Sequence, residues 1–353
     1  MIRDGRPILI TGGAGFIGSN LADRLAGEGH RIIVYDALSR PGVERNLAWL
    51  NIRHGQLITH VAGDVRDEDE LARVAADAKA VFHFAAQVAV TTSLADPRED
   101  FDVNVRGTIN LLDAIRVRRE PVPVIFASTN KVYGDLSDIE FDTLHGRYEP
   151  KSFTSRRGIN ESRPLDFHTP YGCSKGAADQ YVLDYARSFG VPTAVFRMSC
   201  IYGQRQMGTE DQGWVAHFLI RAIEGKPLTI YGDGQQVRDI LDVGDAVNAY
   251  IGALDNIEQV AGRAFNLGGG PANAVSLLEL VDEMRAVTGR DIVLRFEDWR
   301  PGDQRWFVAD TSVARATLDL PTQLGWRDGV ARLADWLASE RGLELHRELA
   351  SAE

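Results

Sequence analysis

Cysteine is almost absent: Cys173 and Cys200 are the two in 353 residues, and neither stands in a CxxC spacing. So few thiols exclude a disulfide framework and fit a reducing compartment better than an oxidising one. Basic residues are in deficit, 39 Lys+Arg against 50 Asp+Glu, for a formal net charge of −11. Binding to nucleic acid or an anionic membrane rests on clustered Lys and Arg, so neither is expected here, although a local basic pocket is compatible with the balance. Long apolar runs are missing as well. The most apolar internal stretch, VFHFAAQVAV at 81–90, is broken by His83 and Gln87 and is about half a membrane span. The short run near the start meets glycine at once, too little for the core of an export signal, and a cytoplasmic protein is expected. The eight histidines and two cysteines form no metal-ligand spacing.

With 44% hydrophobic residues the chain can pack a core, and its length suits about two domains of roughly 150 residues each. The 34 glycines and 13 prolines follow no collagen-like or low-complexity period. Short, nearly continuous apolar runs recur at PILIT (7–11), RIIVY (31–35), QLITHV (56–61), AVFHFA (80–85) and VPVIFAS (122–128), each separated by a helix-length segment. Strands that are apolar throughout are buried on both faces, as in a parallel sheet covered by helices. The expected fold is therefore α/β: a doubly wound parallel sheet of Rossmann type with a smaller C-terminal α/β substrate domain. After residue 134 comes a polar stretch of about thirty residues, longer than a usual connection and of a kind often used as a functional lid, and the loop 135–169 is expected to border the choice of substrate. A helix begins near Tyr171 and leads into VPTAVFRM (191–198). The expected division is a dinucleotide-binding domain at 1–197, joined by 236–265, and a second domain at 198–353.

TGGAGFIG (11–18) lies between the first strand and the first helix, with Gly12, Gly15 and Gly18 in GxxGxxG spacing. Glycines there permit a tight bend, close approach of backbone to a pyrophosphate, and packing of helix on strand. The helix opening at Phe16 and Ile17 then turns its positive end to the phosphates. Asp36 closes the second strand, 24 residues after Gly12, where a carboxylate bonds ribose hydroxyls and repels a 2′-phosphate. That favours NAD over NADP, with Arg40 as a mild counter-signal. Asp64 and Val65 follow the third strand and Ala85, Ala86 and Gln87 the fourth, both strand ends of the kind that bind ligands. Asp64 is equally compatible with a solvated turn. Asn104 belongs to the same expected cofactor-binding set.

Tyr171 and Lys175 in YGCSK stand four apart, on one helix face, where an ammonium can approach a phenol and favour its ionised form. Such a pair can move a proton. By itself Tyr-x-x-x-Lys is a common surface pairing, and its weight comes from following a dinucleotide motif and the strand end AST (127–129). Cys173 points off that face and is expected to pack. His83 and His168 are expected to be structural.

Taken together, Gly12, Gly15, Gly18, Asp36, Thr129, Tyr171 and Lys175, with RDILDVGD (238–245), FNLGG (265–269) and RPGDQRWFVAD (300–310), resemble the extended short-chain dehydrogenase/reductase family of nucleotide-sugar enzymes over nearly the whole chain. STNKVYGD (128–135), PYGCSKGAADQY (170–181), YGQRQ (202–206) and DQGWV (211–215) resemble more narrowly its CDP-paratose 2-epimerase (CDP-tyvelose epimerase) branch. The resemblance implies a tightly held NAD that oxidises a sugar carbon and reduces it from the opposite face. It further implies that Tyr171 takes the hydroxyl proton, Lys175 bonds the nicotinamide ribose and lowers the Tyr171 pKa, and Thr129 holds the reacting oxygen, with Ser128 as an understudy. Arg205, Arg238 and Arg300, with Arg305 as an additional candidate, stand in motifs that hold the substrate diphosphate, although each is also compatible with ion pairing. Trp214, Gln212 and Tyr231 are candidates to border the base. The implied partner is a nucleotide-diphosphate sugar, a CDP-sugar by preference, and the implied assembly a homodimer or homotetramer paired through helices near 99–118 and 171–189. Dehydratases of this family carry Asp-Glu after the threonine, where this chain has Asn130 and Lys131, so dehydration loses its acid and base. UDP-sugar 4-epimerases and sugar-acid decarboxylases share Thr, Tyr and Lys and stay open as alternatives, as does a dinucleotide-sensing protein without chemistry.

Overall fold

The computed structural model describes residues 5–152, 155–300 and 302–345. Seven parallel strands make the main sheet: β1 (Ile8–Thr11), β2 (Ile32–Tyr35), β3 (Ile58–Val61), β4 (Ala80–His83), β5 (Val124–Thr129), β6 (Thr193–Met198) and β7 (Arg263–Leu267). Their spatial order is β7-β6-β5-β4-β1-β2-β3. All residues of β1, β4 and β5 are buried, because helices cover both faces, and this explains the unbroken apolar runs. The doubly wound architecture expected from those runs is the one observed. Strand order reverses between β1 and β4, which opens a crevice beyond their carboxyl ends where such sheets bind ligands.

One polar residue inside this sheet is fully accounted for. His83 ends β4 with Nδ1 2.6 Å from Thr11 Oγ1 and Nε2 3.1 Å from Thr108 Oγ1. Burial pushes its pKa down to about 3, so it is a neutral, structural imidazole, as its sequence setting suggests.

The second half builds its own layers. Cys200–Tyr202, Val237–Asp242, Ala274–Ser276 and Trp306–Phe307 form a small mixed sheet, and Leu228–Tyr231 pairs with Leu294–Glu297. Helices Trp214–Ile223, Leu277–Thr288 and Trp326–Arg341 pack a separate core around Leu219, Leu280, Met284 and Leu333. The chain then crosses back: helix Val243–Asp255 packs its Ala246, Tyr250 and Ala253 into the first core, and β7 closes the main sheet beside β6.

The polar stretch after residue 134 is not a free loop. It contains an antiparallel hairpin, Phe141–Leu144 with Arg147–Pro150, pinned to the second half. Tyr148 donates its amide to Gln235 O (3.0 Å) and its hydroxyl to Asp233 Oδ2 (2.6 Å). Farther on, Ile159 donates to Val308 O at 2.7 Å and accepts from Asn266 Nδ2 at 2.8 Å. These tertiary partners, invisible in a local reading, make the segment a strap across the second half, and the described residues between 135 and 169 do not border the crevice at the sheet's carboxyl ends. Among the described residues no helix is long and apolar enough to cross a membrane.

Candidate active site

One cavity of about 700 Å³ runs from the glycine turn, past the ends of β2 to β5, to the helix opening at Trp214. None of the described residues between 135 and 169 lines it.

At its first end Gly12 is in the left-handed region, φ +66°, and a Cβ there would lie 2.7 Å from Ala85 N. A Cβ on Gly18 would collide with Gly12 O, so helix Phe16–Gly27 seats directly on the turn. Gly15 is the N-cap and offers no side-chain acceptor, so the amides of the first turn, Phe16 and Ile17 included, are left for a ligand. Asp36 lines the cavity beside Arg40. Its Oδ2 accepts from Ala14 N (3.0 Å) and its Oδ1 from Leu38 N (2.9 Å), which fixes the carboxylate at the end of β2. Asp64 is clamped by Arg66 (2.5 Å), which also reaches Glu99 (2.6 Å), and this pairing holds its pKa below the ordinary range. Val65, Ala85 and Ala86 face the cavity. A glycine turn on an uncapped helix end, with one carboxylate at the next strand end, fits a dinucleotide.

Gln87 and Asn104 stand behind the wall instead of in it. Asn104 exchanges hydrogen bonds with the Gln87 backbone, accepting from its N at 2.9 Å and donating to its O at 3.0 Å. Asn104 lies in a π-helical turn, Asp102–Arg106, a local irregularity frequently found at functional sites.

At mid-cavity Thr129, Tyr171 and Lys175 converge, one from the end of β5 and two from helix Thr169–Phe189. Burial raises the Tyr171 pKa to about 12, and its hydrogen bond with Thr129 opposes the shift. Burial also drives the Lys175 ammonium down to about 7, opposed by Asp179 and Asp100. Its Nζ lies 4.1 Å from the centre of the Phe126 ring. Ser128 is not free to act as an understudy: its hydroxyl donates to Asp179 Oδ2 at 2.8 Å, inside a buried pair of Asp179 with Arg197. Asn130 and Lys131 occupy the next two positions, with Lys131 Nζ on Gly302 O at 3.3 Å, so no carboxyl group follows the threonine. Cys173 is exposed and does not pack as expected, because it lies off the buried side of its helix that Ser174, Lys175, Ala178 and Asp179 occupy.

The four arginines separate. Arg238 is buried, pairs with Asp303 at 2.6 Å and faces the cavity. Arg300 lies 3.8 Å over the Tyr231 ring and faces it too, with Trp214 and Gln212 beyond. Arg305 is exposed, stacks over Tyr148 at 5.5 Å and does not line the cavity. Arg205 reaches the rim, but its guanidinium sits between Trp49 (4.1 Å) and Trp336 (5.4 Å) and pairs with Glu340 (3.6 Å). That arrangement staples helix Val43–His54 to the last helix, so Arg205→Ala is expected to cost about 1–2 kcal/mol, the range of partly desolvated cation–π contacts. Thermal unfolding should show the loss while substrate KM stays unchanged.

Residues 8–268 match the NAD dependent epimerase/dehydratase family. The chain belongs to that family. It is 44% identical over 339 residues to the CDP-paratose 2-epimerase of Salmonella typhi, covering 94% of this chain and 99% of that protein. It is similar in structure to the UDP-glucuronic acid 4-epimerase of Bacillus cereus in complex with UDP-glucuronic acid and NAD, at TM-score 0.82, 27% identity, and 95% and 99% coverage. A dTDP-glucose 4,6-dehydratase from Streptomyces venezuelae with NAD bound is comparably similar, at TM-score 0.81, 28% identity, and 95% and 98% coverage. This member of the epimerase/dehydratase family is thus an enzyme whose cofactor is NAD, and the resemblance read from its motifs holds.

Three charged residues around this epimerase/dehydratase site are additional to the motif reading. Asp179 follows Lys175 by four, a helical spacing that could have flagged it. Arg66 immediately follows the Asp64–Val65 pair. Asp100 sits in a polar helix start, PREDF, and carries no sequence signal of its burial near the site.

Proposed function

We propose that this chain is a CDP-sugar 2-epimerase that inverts C2 of a hexose or deoxyhexose, as in conversion of CDP-paratose to CDP-tyvelose. The observation that carries the reading is the convergence of Thr129, Tyr171 and Lys175 at mid-cavity with Asn130 and Lys131 where a dehydratase has its acid and base. The 44% identity to a CDP-paratose 2-epimerase supports it.

When bound, NAD supplies the acceptor and donor of the hydride exchanged with the sugar carbon. The chain handles the proton. Tyr171 faces the reacting hydroxyl and takes its proton during oxidation, then returns it. Burial holds the phenol protonated, so the Lys175 ammonium must favour its ionised form for the outward transfer. Thr129 holds the oxygen while it changes from hydroxyl to carbonyl. Arg238 and Arg300 hold the substrate diphosphate, and Gly15, Phe16 and Ile17 present amides to the cofactor pyrophosphate, with Asp36 on its ribose. A 4-ketone acidifies only the protons at C3 and C5 and cannot by itself invert C2, which supports oxidation at C2 itself.

Self-association belongs to the same reading. Phe101, Tyr181 and Phe189 are exposed apolar side chains on the helices that pack around the catalytic pair, and they suit a second copy of the chain.

The test is a substrate panel followed by proton NMR. CDP-paratose and CDP-glucose are expected to give C2 epimers, and UDP-glucose no C4 epimer. Unchanged C2 in both CDP-sugars, with NAD confirmed on the protein, overturns the reading, and C4 inversion of UDP-glucose replaces it with a 4-epimerase.

A further inference from the structure

Three ionisable groups surround the Tyr171–Lys175 pair: Asp179 on its own helix, His83 on β4 and Asp100 on the helical segment Pro97–Phe101. His83 is neutral, with hydrogen bonds to threonine hydroxyls at both ring nitrogens. Asp179 is committed elsewhere, since Arg197 bonds both its oxygens at 3.0 Å and Ser128 donates to Oδ2. A carboxylate neutralised by its own bidentate guanidinium contributes little field to a third group.

Asp100 is differently placed. It is fully buried, and among the described residues no cation forms a salt bridge with it. Oδ1 accepts from Gln87 Nε2 at 2.9 Å and from Asn104 Nδ2 at 3.2 Å, while Oδ2 has no donor in hydrogen-bond geometry, although the Ser174 hydroxyl is near enough to favour the charged form. A buried carboxylate with a bare oxygen is costly unless a charge nearby compensates it. Burial raises the Asp100 pKa, and the Ser174 hydroxyl, the Lys175 ammonium and the Gln87 amide oppose that rise and favour the carboxylate. A short polar chain ties Asp100 to the helix that carries Lys175: Asn104 Nδ2 also reaches Ser174 Oγ at 3.0 Å, and Ser174 donates to Tyr171 O at 3.2 Å.

We propose that Asp100 is a positioning residue for the proton-transfer pair: its carboxylate is the counter-charge that keeps Lys175 an ammonium beside Tyr171, and Gln87 and Asn104 hold that carboxylate in place. This gives a role to two residues that the sequence assigned to cofactor contact. It rests on the Tyr171–Lys175 chemistry of the proposed function, but its main test needs no substrate.

The sign follows from the charges. Burial lowers the Lys175 pKa and Asp100 raises it, so removing the Asp100 charge lets Lys175 lose its proton at a lower pH. An opposite charge at close range is worth about 1–3 units. The chain has five lysines, at 79, 131, 151, 175 and 226, so 13Cε-lysine NMR of the NAD-loaded protein is resolvable, with Lys175→Arg assigning the signal. Asp100→Asn keeps an oxygen acceptor for Gln87 and Asn104 while removing the charge. Its Lys175 midpoint is expected about one unit or more below wild type. In parallel, the alkaline limb of kcat/KM moves to lower pH, with activity down roughly tenfold above both midpoints. Asp100→Glu, which keeps the charge, is expected to stay near the wild-type midpoint. Should the asparagine variant not fold, Asp100→Ser takes its place as the neutral variant. An unmoved Lys175 midpoint in a folded neutral variant overturns the proposal and leaves Asp100 a purely structural group. That result would not touch C2 epimerisation, which the substrate panel reads separately.

Discussion

Tyr171→Phe is expected to lower kcat by about 10²–10⁴, the range typical for loss of a positioned acid–base group, while the protein folds and retains NAD. The change removes one oxygen from a residue in the cavity wall and leaves the ring that fills the space. Ser128 does not substitute, because its hydroxyl is donated to Asp179 within a buried ion pair. Thr129 is close, but an aliphatic hydroxyl is a far weaker acid than a phenol and does not ionise readily enough to replace it. Stopped-flow and steady-state assays on the variant, with cofactor content read from released NAD, check both halves of the expectation. Turnover near the wild-type rate would remove Tyr171 from the mechanism.

Gly12→Ala should act on the other end of the cavity and on the fold together. At φ +66° a side chain costs about 1–3 kcal/mol in backbone strain, before any contact is counted. The new Cβ then meets Ala85 N at 2.7 Å and the Phe84 carbonyl carbon at 2.9 Å, backbone atoms of the loop after β4 that cannot rotate away. Relief requires the glycine turn to separate from that loop, and both line the crevice that receives NAD. The expected result is protein purified without NAD, with a melting temperature several degrees lower and no activity on addition of the cofactor. Normal NAD content would show that the turn tolerates a side chain and that the cradle is read wrongly.

The sheet was readable in the sequence because each parallel strand is buried on both faces, so Ile8–Thr11, Ala80–His83 and Val124–Thr129 appear as compact apolar runs without an amphipathic pattern to blur them. Gly12, Thr129, Tyr171 and Lys175 were readable for a related reason: their roles are set by position at a strand end or by a helical spacing of four, both local properties. Long side chains were harder. Arg205, Arg238, Arg300 and Arg305 stand in similar motifs, yet two indoles capture the first and Tyr148 the last, and those partners are distant in sequence. The segment after residue 134 reads as a free loop because its hydrogen bonds go to Gln235, Asp233, Val308 and Asn266, about 85 to 150 positions away. Asp100 is the extreme case. In PREDF it resembles any acidic residue in a first helical turn, and only the fold shows it buried behind the wall that carries Lys175.

The most direct test of direct oxidation at C2 follows the hydrogen on that carbon. CDP-glucose carrying deuterium at C2 is incubated in ordinary water with the NAD-loaded protein, and the product is examined by proton and deuterium NMR. Removal and return of the same hydrogen at C2, with Tyr171 handling only the hydroxyl proton, calls for a C2 epimer that keeps its deuterium. A C2 epimer whose deuterium has been replaced by solvent hydrogen would contradict the account, because inversion would then proceed by deprotonation of carbon next to a ketone elsewhere on the ring.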